Sequence, residues 1–202
     1  MVLALETAKE LGSAQVGAEH IVLGILKSKS GIAYKIIKEI FSDTEALGHK
    51  ILAPIEKQMP ETLTILRLAK QEARRLNKSV MGSEMILLGI IAEGTSIGAR
   101  VLSKLGVTLR DARHEVEKLI GASEKLENKH LVYTPRAKRI LEIAWEEAKK
   151  HRVEKIKSQH LLYAITKEPT SLGMRVLINL GADIFEIRHG ISKELFEANL
   201  VE

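Results

Sequence analysis

Apolar residues recur along this chain at spacings of three and four, and no stretch sustains a period-two alternation. The first pattern predicts amphipathic helices, and the lack of the second makes the fold all-α. Helices are expected over residues 2–11, 18–27, 32–41, 44–53, 63–76, 83–92, 97–105, 109–120, 135–152, 158–167, 172–180 and 184–198. Their breaks carry the right punctuation: Gly12 as a C′ residue, Gly31, Gly94 and Gly106 at turns, and Thr134-Pro135 as an N-cap with proline at N1. The segment 18–27 is apolar on most sides and is expected to be buried.

The helices fall into a repeat. Residues 16–26 read VGAEHIVLGIL, 81–91 read MGSEMILLGII, and 156–166 read IKSQHLLYAIT. One register aligns Ala4, Ala69 and Ala144; Ala8, Ala73 and Ala148; Glu19, Glu84 and Gln159; Ile32, Ile97 and Leu172; and Ile37, Leu102 and Leu177. Each copy holds four helices, too long for arrays of helix pairs of about 34 residues. The expected division is a first copy over 1–53 that lacks its opening turns, a linker at 54–60, a second copy over 61–120, a linker at 121–132 and a third copy over 133–198. Ser83 and Ser158 are expected to be N-caps of the apolar helices, a role for which Ala18 lacks the hydroxyl. Glu19 and Glu84 then open helices at the positive end of the dipole.

Composition narrows the class. The 45% hydrophobic content and mean hydropathy near zero fit a chain with a packed core. No apolar run reaches the roughly 18 residues of a spanning segment, so no membrane partner is expected. Net charge is +5, with basic and acidic side chains interleaved. That mixture, with only seven aromatic residues including Trp145, argues against a nucleic-acid footprint. Cysteine is absent, which excludes disulfides, thiolate metal sites and cysteine nucleophiles. Met1 leads into an acidic helical segment, so no signal peptide is expected.

The combination of motifs resembles the N-terminal domain of the Clp family of protein-unfolding ATPases, nearest the ClpC and ClpA branch. It is carried by Tyr133-Thr134-Pro135-Arg136-Ala137, by Gly82-Ser83-Glu84-Met85-Ile86-Leu87-Leu88-Gly89, and by Gly98-Ala99-Arg100-Val101-Leu102 with Leu105-Gly106. In that family the domain is a pseudo-twofold pair of four-helix repeats. Residues 59–198 resemble one such domain, and 1–53 a further, N-truncated repeat. The resemblance implies a non-catalytic interaction module that binds adaptor proteins, unfolded substrates, or Clp ATPase and protease-core subunits. Stand-alone relatives in plastid Clp systems associate with the protease core. It implies no cofactor, and a cytoplasmic location, or the plastid stroma in a photosynthetic eukaryote. No GxxxxGK[ST] phosphate loop occurs in the chain.

The expected ligand- or peptide-binding residues are Glu19, Glu84, Thr134, Gln159, Arg100 and Arg175, with no catalytic and no metal residues expected. Some family members read phosphoarginine through the glutamate of the Gly-Ser-Glu motif, helped by the threonine of the first helix. Glu84, Glu19 and Thr134 match, whereas Gln159 and Met59 depart from the pattern. A carboxylate suits the paired donors of a guanidinium, while a phosphate wants hydroxyls or backbone N–H groups. The plain alternative for Glu19 and Glu84 is a dipole role, and for Arg100, Arg175 and Lys35 a solvated helix face. His20 and His160 share a position with Met85, which predicts packed, hydrogen-bonded histidines rather than metal ligands. From a different class, a pI of 9.3 leaves open a basic helical nucleic-acid-binding protein. The unpaired first copy is expected to expose an apolar face, open to self-association.

Overall fold

The computed structural model describes residues 2–11, 13, 15–58, 61–121 and 131–199, without the side chains of 52–58 and 196–199. It divides into two compact units, Met1–Thr64 and Ile65–Glu202. The fold is all-α, built of tandem four-helix repeats. The first repeat comprises α1 (Val2–Glu10), α2 (Ala18–Ser28), α3 (Gly31–Ile40) and α4 (Thr44–Gln58). The second has α5 (Glu61–Arg75), α6 (Ser83–Glu93), α7 (Ile97–Lys104) and α8 (Leu109–Ile120); the third has α9 (Pro135–Lys150), α10 (Ser158–Lys167), α11 (Leu172–Asn179) and α12 (Ile184–Asn199). Observed and expected ends agree within about two residues, the usual latitude of helix boundaries, except at α4.

There the expectation needs correcting. The helix runs on to Gln58, so 54–58 are helical rather than linker. Pro54 removes one backbone donor, which weakens a helix without ending it. The rest of that expected linker, residues 59 and 60 including Met59, lies outside the described residues, as do Gly12 and most of the 121–132 linker.

A second difference concerns strands. Val80–Met81 (β1) and Val132–Tyr133 (β2) pair in parallel, Val80 beside Val132 and Met81 beside Tyr133. Two residues cannot display a period of two, so periodicity is blind to them.

In each repeat the first helix crosses the second at small residues. Gly24 lies against Ala4, whose backbone nitrogen would be 2.8 Å from an added Cβ. A Cβ on Gly89 would overlap the Ile65 carbonyl oxygen and lie 3.0 Å from the Ala69 nitrogen, and the register places Ala144 and Ala164 there in the third repeat. The central helices of the second unit are buried from Ser83 to Ile90 and, in α10, at nearly every residue. By contrast α2 buries only His20, Leu23 and Gly24, which corrects its expected burial: its neighbours within the first unit are α1, α3 and α4. Helices α6 and α10 instead lie between two repeats that exchange elements, α7 packing on α10 and α12, and α11 on α6 and α8.

The serines leading these helices perform a task other than the expected one. The N-caps are Gly82 and Lys157, one residue earlier, and neither serine caps its own helix. The Ser83 hydroxyl accepts from the backbone N–H of Gly173 in α11 at 2.9 Å, and the Ser158 hydroxyl accepts from Gly98 in α7 at 2.9 Å. Each serine thereby satisfies a first-turn donor of the other repeat, a group with no partner in its own helix. The approach is tight for anything larger than glycine: a Cβ on Gly173 would be 3.0 Å from the Ser83 carbonyl oxygen, and one on Gly98 3.0 Å from Ser158 Cβ. The first repeat carries Ala18 and Ala33 at these positions, so it has neither half of the device. Its α3 leaves Ile32, Ile36 and Ile40 exposed, whereas Val101 and Val176, which align with Ile36, are buried.

Three buried acids secure the helix packing. Glu72 of α5 receives a forked pair of bonds from Arg113 of α8 and one from Arg75. Glu115 of α8 accepts from Asn179 of α11 at 2.6 Å. Glu194 of α12 is held by Arg100 and Lys104 of α7. Paired in this way, a buried charge avoids the full cost of desolvation.

Replacing Ser83 or Ser158 by alanine is expected to cost about 1 kcal/mol each, the scale of one net hydrogen bond. Gly98→Ala and Gly173→Ala gain about 1 kcal/mol of helix propensity but meet fixed neighbours, for a net cost of about 1–2 kcal/mol. Urea denaturation of the single and double variants checks this. Effects within the pairs Ser83/Gly173 and Ser158/Gly98 should be non-additive, and strict additivity would deny the contact.

Candidate functional site

The parallel register of β1 and β2 carries the chain from Met81 into Gly82-Ser83-Glu84 alongside Thr134-Pro135-Arg136. The Thr134 N–H donates to the Met81 carbonyl at 2.9 Å and closes the two segments together. Around this junction lies a pocket of about 530 Å³, lined by Lys78, Val80, Gly82, Ser83, Glu84, Ile120, Thr134, Pro135, Arg136 and Leu172. Two residues singled out in the sequence, Glu84 and Thr134, therefore meet in one cavity although they belong to different repeats.

Glu84 is buried, with 6% of its surface exposed. Burial raises its pKa above the ordinary carboxylate value, against the opposing pull of its own backbone N–H, the Ser83 hydroxyl and the Lys78 charge. The Ser83 hydroxyl donates to Glu84 Oε2 at 3.4 Å. Among the described residues no cation forms an ion pair with this carboxylate, unlike those of Glu72 and Glu194. Thr134 caps α9, its Oγ1 accepting from Ala137 N–H at 3.1 Å, which leaves the hydroxyl hydrogen to donate elsewhere. Pro135 at N1 sets the helical turn that fixes this geometry. Arg136 is exposed. The Lys78 ammonium donates to the carbonyls of Ile120 and Gly121 at the end of α8. A desolvated acid thus sits in a cavity that also holds a hydroxyl, two cations and the apolar surfaces of Val80, Ile120 and Leu172.

The other predicted residues are not in this pocket. Gln159 is buried, with its Oε1 3.5 Å from the Ser158 hydroxyl. Arg100 donates from Nε and Nη2 to Glu194 and from Nη1 to the Thr95 carbonyl, so its guanidinium is engaged in joining α7 to α12. Arg175 is exposed on α11; the register places Leu119 where Arg100 has Glu194. Glu19 lies in the first unit, its Oε1 3.0 Å from His20 Nδ1. His20 and His160 are buried hydrogen-bonded residues: Nδ1 accepts from the backbone N–H of Gly17 at 2.9 Å and of Lys157 at 3.1 Å. Burial lowers the His160 pKa, which keeps the ring neutral and able to accept. Among the described residues no group of three His, Asp or Glu is placed to hold a metal ion. Two pocket cations escaped the sequence reading. Arg136 stood inside a quoted motif without a role, and Lys78 carried no signal at all.

A tandem-repeat helical domain with a pocket at the repeat junction is the class so defined. The chain matches the family described as the Clp repeat (R) N-terminal domain over residues 1–64, 60–180 and 132–200. It belongs to that family. It is 43% identical over 147 residues to the chloroplastic ATP-dependent Clp protease ATP-binding subunit ClpA homolog CD4B of Solanum lycopersicum, covering 73% of this chain and 16% of the relative. It is 42% identical over 151 residues to the chloroplastic chaperone protein ClpC1 of Arabidopsis thaliana, covering 75% of this chain and 16% of that protein. The chain therefore matches about a sixth of the length of these relatives. Among solved structures, the N-terminal domain of the Arabidopsis thaliana chaperone ClpD aligns with a TM-score of 0.59 at 21% identity, over 68% of this chain and 96% of that one. The Candida albicans Hsp104 N-terminal domain aligns with a TM-score of 0.53 at 12% identity, over 64% and 85%. These two likenesses concern the fold.

The raised pKa of Glu84 has a stability consequence of definite sign. The folded state binds the Glu84 proton more tightly than the unfolded state, so stability falls as pH rises from the ordinary carboxylate value through the raised one. Glu84→Gln is therefore expected to raise the urea midpoint at pH 7, with the gain vanishing below the ordinary carboxylate range. A lowered midpoint at pH 7 would show that the ionised carboxylate stabilises the fold.

Proposed function

We propose that this chain is a recognition module of the Clp chaperone–protease system, without catalysis of its own, and that the pocket at Glu84 and Thr134 is where it engages a guest. The observation that carries this is a buried acid that forms no ion pair among the described residues and lines an open cavity, with burial raising its pKa. Acids needed only for packing, Glu72 and Glu194, are paired instead. Family membership and the similarity to ClpC- and ClpA-type chaperones support the Clp setting. Adaptors, unfolded substrates and Clp ATPase or protease-core subunits are the partner classes. Division into repeats 1–53, 61–120 and 133–198 is part of the same reading, as is a location in the plastid stroma for a photosynthetic source. The exposed isoleucines of α3 suit self-association through the first repeat.

Within this reading, phosphoarginine is the guest the pocket's chemistry favours. Glu84 offers two acceptor oxygens to a planar guanidinium. Thr134, Arg136 and Lys78 offer a hydroxyl and positive charge to an attached phosphate. Calorimetry with phosphoarginine, and with arginine as control, tests it. Phosphoarginine should bind the native chain and bind Glu84→Gln at least about tenfold more weakly, a difference of about 1.4 kcal/mol; no heat at millimolar ligand removes this guest. Retention of Clp ATPase or protease-core subunits by the immobilised chain tests the wider reading, which fails if neither is held. An electrophoretic shift of nucleic acid that falls steeply with salt would instead favour the nucleic-acid alternative.

A further inference from the structure

The acids of the first and second repeats share one arrangement with the glycine that precedes their helices. In both, the glutamate follows its N-cap glycine by two residues, and the side chain folds back over that glycine. A Cβ built on Gly82 would overlap both carboxylate oxygens of Glu84 and lie 2.5 Å from its carboxyl carbon. One built on Gly17 would overlap the Glu19 oxygens and lie 2.6 Å from that carboxyl carbon. Backbone conformation does not require glycine at either place. Gly82 has φ −92° and Gly17 has φ −91°, both in the extended region open to any residue. What is required is empty space. The third repeat has Lys157 as the N-cap of α10, also extended at φ −124°, and this residue carries a Cβ where the other two repeats have none.

We infer that Gly82 is a positioning residue for the Glu84 pocket: its missing side chain lets the carboxylate fold into the cavity. The same rule makes Gly17 the positioning residue for Glu19. It also means that the third repeat has lost the site twice over, in the charge at Gln159 and in the space at Lys157. Restoring an acid at 159 does not by itself restore the arrangement. The inference rests on the proposed function only where a ligand is involved, since the carboxylate's placement can be measured without one.

Gly82→Ala in the full chain is the test. The clash falls on the far end of a flexible side chain, not on backbone, so the variant should fold with a thermal midpoint close to native. Glu84 should be driven out toward water. Its titration, followed by carboxyl-carbon NMR, should drop toward the ordinary carboxylate value, and phosphoarginine affinity should fall at least tenfold. A native titration curve with native affinity would overturn the inference, and so would failure to fold, which would make Gly82 structural. If the native chain binds no phosphoarginine, the titration decides alone. A second comparison isolates the space from the charge. Gln159→Glu is combined with either Lys157→Gly or Lys157→Ala, both of which remove the ammonium. The new carboxylate at 159 should titrate higher beside glycine than beside alanine, and equal values would contradict the space requirement.

Discussion

Two hydroxyl-to-amide bonds, from Gly173 to Ser83 and from Gly98 to Ser158, set the terms for the second unit. A helix must find partners for its first N–H groups, and here each of two helices finds one in the other repeat. That demand explains several residues at once. Serines must lead α6 and α10, glycines must stand at the second position of α7 and α11, and both central helices must be buried for the bonds to form. Water cannot compete there, which gives such bonds their full effect.

The pocket follows from the same arrangement. Burying the start of α6 to seat Ser83 also buries its neighbour Glu84, and the short parallel pairing of β1 with β2 brings Thr134 and Arg136 to it. The other buried acids of this unit are paired with cations or an amide, and they lock α5 to α8, α8 to α11 and α7 to α12. Opposite pKa shifts express the difference. Burial raises that of Glu84, whereas at Glu72 the Arg113 and Arg75 bonds outweigh burial and lower it. Among the described residues of this unit, Glu84 is thus the buried acid left without an ion pair or an amide partner.

Helix periodicity and the three aligned copies made the architecture legible, because packed faces impose their spacing on the sequence. What stayed hidden is what depends on contact between distant segments. Ser83 and Ser158 looked like local caps because hydroxyls at helix starts usually are, and nothing local says that the donor lies in another repeat. Arg100 looked free until Glu194 came to meet it across the pair. Lys78 reaches the pocket only because α8 ends beside it. Glu84 and Thr134 were legible through motif resemblance; the closeness of the Glu84 carboxylate to Gly82 is a matter of volume, which letters do not display.

The first repeat is the natural control. It keeps the apolar register but has Ala18 and Ala33 where the others have serine and glycine, and Ala33 is exposed. Native-state hydrogen exchange of individual backbone amides therefore tests the central claim most directly. First-turn amides of a helix ordinarily exchange readily. The Gly98 and Gly173 amides should instead exchange only with global unfolding of their unit, while the Ala33 amide exchanges orders of magnitude faster. If Gly98 and Gly173 exchange as fast as Ala33, the two repeats are not held together by these bonds.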